Sequence, residues 1–187
     1  MKDIVIVANF CDYETINGNN RFNYIANMLY ELGYNVELIT SSFSHRRKRQ
    51  RIKHDDNKYK ITLIEEPGYK KNISLKRFYS HYIWGINLKK YLHIRKKPNI
   101  VYCAVPSLTG ANVVNTYCNK NNIKFIIDIQ DLWPEAFQIV FNLPLVNQAI
   151  FFPFKILANR VYSNADTICA VSKSYLEKAI LVNKKNA

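Results

Sequence analysis

With 187 residues and a mass of 21.9 kDa the chain has the size of one ordinary domain, and 48% apolar residues exclude a disordered tail. Five glycines and six prolines exclude collagen-like and low-complexity chains. The formal charge of +13 is concentrated, with 17 Lys and Arg against four acidic residues at positions 44–97 and ten of each sign elsewhere, so one region is expected to attract a polyanion: nucleic acid, an anionic membrane or a phosphate-bearing substrate.

In chain order, residues 4–8 form an apolar run too short for the hydrophobic region of a signal peptide and suited to a strand buried on both faces. A polar loop, 9–18, follows. Phe22, Ile25, Ala26 and Leu29 recur at helical spacing, and Gly33 stands where a glycine ends a helix. Residues 36–40 give a second strand, completing a βαβ unit with right-handed crossover. Residues 61–64 read as a strand, and 73–95 as a long helix with Phe78, Tyr82, Ile83 and Ile86 on one face. Strands at 100–104 and 125–129 flank a helix near 108–121, and 167–171 is a last strand. Ser174 and Glu177 form a capping-box pattern for a terminal helix. The alternation predicts one α/β domain over 1–187: Rossmann-like, doubly wound, with a mostly parallel sheet of six or seven strands and helices on both faces.

Two uncharged windows, 98–119 and 136–154, are interrupted by Pro106 and Gly110 and by Pro144 and Pro153, so neither is expected to span a membrane. Cys11, Cys103, Cys118 and Cys169 show no CxxC pair and no Cys/His ligand spacing. No metal is expected, and reduced thiols in a cytoplasmic protein are the economical reading.

Ligands of doubly wound sheets bind beyond the carboxyl ends of the strands, which singles out three loops. Asn17, Gly18, Asn19 and Arg21 lead into a helix N-terminus, where backbone N–H groups favour an anion. The loop is neither a GxGxxG nor a Walker sequence, and a plain turn before a helix explains it equally well. At the end of the strand at 125–129 and just beyond it, Asp128, Asp131 and Glu135 supply three carboxylates around Gln130 and Trp133. Asp131 and Glu135 suit hydrogen bonding to sugar hydroxyls or general-base work, with Trp133 as a stacking wall; the alternative is that Asp131 caps a turn and Trp133 is core. In the third loop Ser107 or Thr109 is expected to cap a helix.

The string Asp128-Ile129-Gln130-Asp131-Leu132-Trp133-Pro134-Glu135 resembles the D-[IV]-[RQ]-D-L-W-P-E signature of bacterial family 4 retaining glycosyltransferases of GT-B fold, especially those assembling capsule and O-antigen sugars. Glu31-Leu32-Gly33-Tyr34-Asn35-Val36 resembles that family's L-x-x-x-G-H-x-V helix end, and Ala165-Asp166 with Ala170-Val171-Ser172 its A-D-x-[IV]-x-x-V-S segment. The resemblance covers the whole chain and implies the N-terminal, acceptor-side half of a two-domain enzyme. It further implies Asp131, Gln130 and Glu135 as catalytic residues, and Asn17, Gly18, Asn19, Arg21, Asp128 and Trp133 as substrate-binding residues. A nucleotide sugar would be the co-substrate, held mainly by a C-terminal domain or partner chain through an E-x7-E motif, with no other cofactor. The acceptor would be a sugar on polyprenyl diphosphate. Two departures stand out: Gln130 replaces the family's common histidine, and the glycine-rich loop is reduced to Gly18 among asparagines.

The basic region is expected to hold the protein on the cytoplasmic face of an anionic membrane through Arg46, Arg47, Lys48, Arg49, Arg51, Lys76, Arg77, Lys89 and Lys90, interleaved with Phe78, Tyr79, Tyr82 and Trp84. The competing reading is a stand-alone binding module that applies this region to nucleic acid or a membrane. Clustered carboxylates at the sheet edge, which repel phosphates, count against nucleic acid.

Overall fold

A computed structural model describes residues 1–13, 21–52, 57–133, 144–183 and 185. Six strands, β1 (Asp3–Val7), β2 (Asn35–Ser41), β5 (Lys60–Ile64), β6 (Ile100–Val105), β7 (Lys124–Ile129) and β8 (Thr167–Ala170), form one sheet in the order β5-β2-β1-β6-β7-β8. Every pairing is parallel, with Ile4 beside both Val36 and Ile100, and Ile127 between Cys103 and Ile168. Parallel strands must be covered on both faces, which explains their continuous β-branched runs.

The helices supply that cover. On one face Ile6, Leu38 and Ile61 pack with Phe22 and Ala26 of α1 (Arg21–Glu31), whose chain turns back at Gly33 with φ +83. On the other, Val5, Val7, Ile39, Val101, Cys103 and Ile127 meet α2 (Leu75–Ile94), α3 (Leu108–Asn121) and α4 (Pro144–Asn164). The last helix, α5 (Lys173–Ile180), follows β8.

Several expectations need correction. The inward face of α2 is His81, Trp84, Gly85, Leu88 and Leu92, whereas Tyr82 is 57% exposed. The reason lies on α3: a side-chain carbon at Gly110 would stand 2.1 Å from the Trp84 ring, so the bare glycine opens the slot that this indole fills. Trp84 is thus core and not a membrane-facing aromatic. The terminal helix is capped by Ser172, whose extended backbone (φ −146, ψ 156) lets its hydroxyl accept from the Tyr175 N–H; Ser174 lies inside the helix. Helix α4 runs through a window read as broken: Pro144 opens it, where the missing N–H costs nothing, while Pro153 lies within it. The polybasic run folds into a small antiparallel pair, β3 (Phe43–Ser44) and β4 (Arg49–Gln50), turned at Lys48 with φ 55.

At the amino-terminal edge of the sheet, Glu37 of β2 is buried and accepts from Thr62 Oγ1 at 2.5 Å, Lys60 Nζ at 2.9 Å, Arg95 Nε at 2.5 Å and the Tyr91 hydroxyl. Arg95 also reaches Asp3 at 2.8 Å, so this pair ties the end of α2 to β1 and β2. Cys11, Cys103 and Cys118 are buried as free thiols, and Cys169 is half-buried. Among the described residues no helix is long and apolar enough to cross a membrane, and no group of three or more His, Cys, Asp or Glu is arranged to hold a metal.

Candidate functional site

The strand order reverses between β1 and β6, and their diverging connections open a cleft there. It has a volume of about 290 Å³ and is lined by Asn9, Phe10 and Asp12 after β1, Pro106 and Ser107 after β6, and Gln130 after β7. Arg21, Arg46 and Arg51 add three guanidinium groups to the wall. The first turns of α1, where Arg21 stands, and of α3, which Ser107 precedes, border the same space. Ser107 occupies the N-cap position without a capping bond, because its hydroxyl instead accepts from Asn9 Nδ2 at 3.3 Å. Asn9 Oδ1 is buried with no hydrogen-bond partner among the described residues.

Arg21 is held from behind. Asp128 Oδ2 accepts from Arg21 Nε and from the Tyr102 hydroxyl, both at 2.6 Å, and Asp128 has no exposed surface. Burial pulls the Arg21 pKa down, but the Asp128 carboxylate outweighs it and holds the guanidinium charged. Fixing one edge of a guanidinium leaves its remaining N–H donors oriented, an arrangement suited to a phosphate or carboxylate.

Beside the cleft lies an aromatic cage around Arg77. Its guanidinium sits 5.7 Å from the ring centres of Phe10 and Tyr69 and 4.8 Å from that of Trp133, and one nitrogen donates to the Asn72 carbonyl at 2.9 Å. The His81 ring stacks on Trp133 at 5.8 Å and meets Phe10 at 5.2 Å. His45 packs on Phe10 and hydrogen-bonds the Tyr69 hydroxyl. Burial, with nearby Arg77, pushes His81 down to about 3. Burial, with Lys48 and Arg77, pushes His45 down to about 4, so both rings are neutral at pH 7. Asp131 is half-buried within electrostatic reach of Arg77.

The residues singled out in the sequence therefore divide. Arg21 and Gln130 line the cleft, Asp128 orients Arg21, and Trp133 is a 4%-exposed wall of the cage. Asn17, Gly18, Asn19 and Glu135 lie outside the described residues. Of the basic set, Arg46, Arg47, Arg49, Lys76, Lys89 and Lys90 are exposed, and Lys48 lies over the Tyr69 ring at 4.6 Å. Arg51 and Arg77 are not surface charges. Arg51 turns inward to the Cys11 carbonyl at 2.7 Å and the Ser41 carbonyl at 3.2 Å, because those turn carbonyls need donors, and Arg77 is enclosed by its rings. Asn9, His45, His81 and Tyr69 were not singled out. Asn9, the first polar residue after the β1 run, carried the one usable signal.

An all-parallel sheet of this order, with helices on both faces and a cleft at the reversal, is the Rossmann-like fold of one half of the GT-B architecture. Among solved structures the chain is similar to MurG from Acinetobacter baumannii, with 13% identity and a TM-score of 0.50 over 92% of this chain and 42% of that one. It is also similar to UGT89C1 from Arabidopsis thaliana complexed with UDP, with 9% identity and a TM-score of 0.55 over 99% of this chain and 50% of that one. At such identities the likeness is one of fold, and the chain spans half or less of these relatives' length. No family model matches the sequence, and no curated protein does.

Proposed function

We propose that the chain is the acceptor-binding half of a nucleotide-sugar-dependent retaining glycosyltransferase of the family 4 type, building a surface polysaccharide, capsule or O-antigen, on a membrane lipid carrier. The observation that carries this reading is the cleft at the strand-order reversal, with Arg21, Arg46 and Arg51 beside Gln130, on a fold shared with glycosyltransferases. The guanidinium groups of Arg21 and Arg46 and two helix N-termini, set against the Asp12 carboxylate in the same wall, favour an anionic group, and the diphosphate of a polyprenyl-diphosphate-linked sugar has that chemistry. Transfer joins an acceptor hydroxyl oxygen to the donor's anomeric carbon, the nucleoside diphosphate leaves, and the hydroxyl proton is released. Asp131 would orient that hydroxyl or stabilise positive charge developing at the sugar carbon, with Gln130 and Glu135 as neighbours. The nucleotide sugar would be held mainly by a second half, a C-terminal domain or a partner chain.

The exposed basic residues give this half a place to work. Arg46, Arg47, Arg49, Lys76, Lys89 and Lys90 are exposed, and so are Leu75, Tyr79 and Tyr82, at 87%, 57% and 57%. Each Lys or Arg near an anionic surface contributes about 1 kcal/mol, enough in sum for reversible docking on the cytoplasmic face of the membrane. The chain should co-sediment with vesicles containing anionic phospholipid at low salt, should lose most of that binding at high salt, and should ignore neutral vesicles. Nucleic-acid binding of equal strength with no vesicle binding would instead favour a stand-alone binding module.

A further inference from the structure

The hydrogen bonds between the Arg77 cage and the cleft fix where one proton sits. A guanidinium can only donate, and Arg77 donates to the Tyr69 hydroxyl oxygen. The phenol is 4% exposed and burial holds it protonated, so its own O–H needs an acceptor. His45 Nδ1 is that acceptor. The His45 ring is uncharged at pH 7, because burial and the nearby Lys48 and Arg77 oppose a second proton. A neutral imidazole whose Nδ1 accepts carries its proton on Nε2. The donors therefore run one way, from Arg77 to Tyr69 to His45, and the reverse order is closed because Arg77 has no acceptor to offer.

The far end of this chain faces the cleft. His45 is half-buried, and its ring, packed on Phe10 at 4.9 Å, lines the cleft together with Phe10 and Arg46. Its Nε2 has no hydrogen-bond partner among the described residues and, unlike His81 Nε2, is not enclosed. We propose that His45 is an anion-binding residue of the cleft, its Nε2–H donating to an oxygen of the bound group, and that Arg77 and Tyr69 are positioning residues that hold the ring in this tautomer. The proposal rests on the reading that the cleft takes an anionic group, and it adds to Arg21 and Arg46 a donor that is not a formal charge. Bonds aligned head to tail polarise one another, so the Arg77 charge strengthens the His45 donor without itself entering the cleft. A ligand with donors alone would meet an N–H where it needs an acceptor.

The test uses the full 187-residue chain, labelled with nitrogen-15, at pH 7, with inorganic diphosphate as the probe. Long-range proton–nitrogen spectra, with the His45 signals assigned by comparison with His45→Gln, should show Nδ1 unprotonated and Nε2 protonated. Added diphosphate should shift Nε2 more than Nδ1. A protonated Nδ1, or a His45 ring that ignores diphosphate bound by the chain, would overturn the proposal and leave the cleft reading intact. Calorimetry measures the coupling. His45→Ala should weaken diphosphate binding at least about tenfold, the lower end for a hydrogen bond to a charged group. Tyr69→Phe keeps the ring and removes only the hydroxyl; it should weaken binding severalfold in the native chain and change nothing in the His45→Ala background. Equal losses in the two backgrounds would show that Tyr69 does not act through His45 and would overturn the positioning role. Failure of the native chain to bind diphosphate would overturn the cleft reading and His45's part in it together.

Discussion

Replacing Arg95 with alanine should cost about 3–5 kcal/mol of folding stability, the usual result of removing one partner from a buried ion pair. Glu37 and Arg95 side chains are 3% and 8% exposed, and the variant would leave the Glu37 carboxylate enclosed with its shortest cationic contact gone. The pH dependence gives the cause a signature. In the native chain burial pushes the Glu37 pKa up, but donors from Thr62, Tyr91, Arg95 and Lys60 outweigh it, so the pKa lies below the ordinary value of 4.5. A depressed carboxylate pKa means stability that is present above the unfolded pKa and lost as pH falls through the folded one. In Arg95→Ala the same carboxylate, short of a donor, titrates higher and is relieved by protonation. The gap between native and variant should therefore narrow as pH falls from 7 toward 4, and Glu37→Gln should recover part of the loss in the Arg95→Ala background. Urea melts across that range measure it; a pH-independent gap would mean that Arg95 acts through packing alone.

The second large effect concerns chemistry. In an active enzyme that joins this half to a donor-binding half, Asp131→Asn should lower turnover at least tenfold, about 1.4 kcal/mol of barrier, with little change in melting temperature. The asparagine keeps shape and hydrogen-bonding capacity but removes the charge that would stabilise a cationic sugar carbon or orient a hydroxyl. Asp131 is half-buried on the sheet's carboxyl edge, so the substitution leaves the core intact. Unaltered turnover, or a collapse of stability, would identify Asp131 as a structural residue.

How much of this was legible in the sequence follows from which forces are local. The strands of the sheet were readable because a parallel strand covered on both faces must be a continuous apolar run, as in Ile4-Val5-Ile6-Val7 and Phe125-Ile126-Ile127. The inward face of α2 was not, because aromatic and aliphatic residues occur all around it and the choice was made by Gly110 on another helix. Helix α4 is not legible in the sequence because its two prolines read as breakers, although one stands at the first position, where proline is tolerated. In the site, Gln130 and Asp128 could be placed at a strand end from the chain alone. The pairing of Asp128 with Arg21 spans 107 positions, and the cage around Arg77 joins Phe10, Tyr69 and Trp133 from three separate loops. The two inward arginines, Arg51 and Arg77, read as surface charge in the sequence, because residue type alone says nothing of an aromatic cage or of the Cys11 and Ser41 carbonyls that accept from Arg51.

On the proposed function this half holds the acceptor and not the nucleotide sugar. Titration calorimetry of the 187-residue chain with UDP-, GDP- and CMP-sugars, each compared with inorganic diphosphate, tests it most directly. The expected result is that inorganic diphosphate binds in a manner that Arg21→Ala abolishes, and that no nucleotide sugar binds more tightly than it does. Micromolar binding of any nucleotide sugar to this chain alone, tighter than diphosphate and indifferent to Arg21→Ala, would contradict the claim.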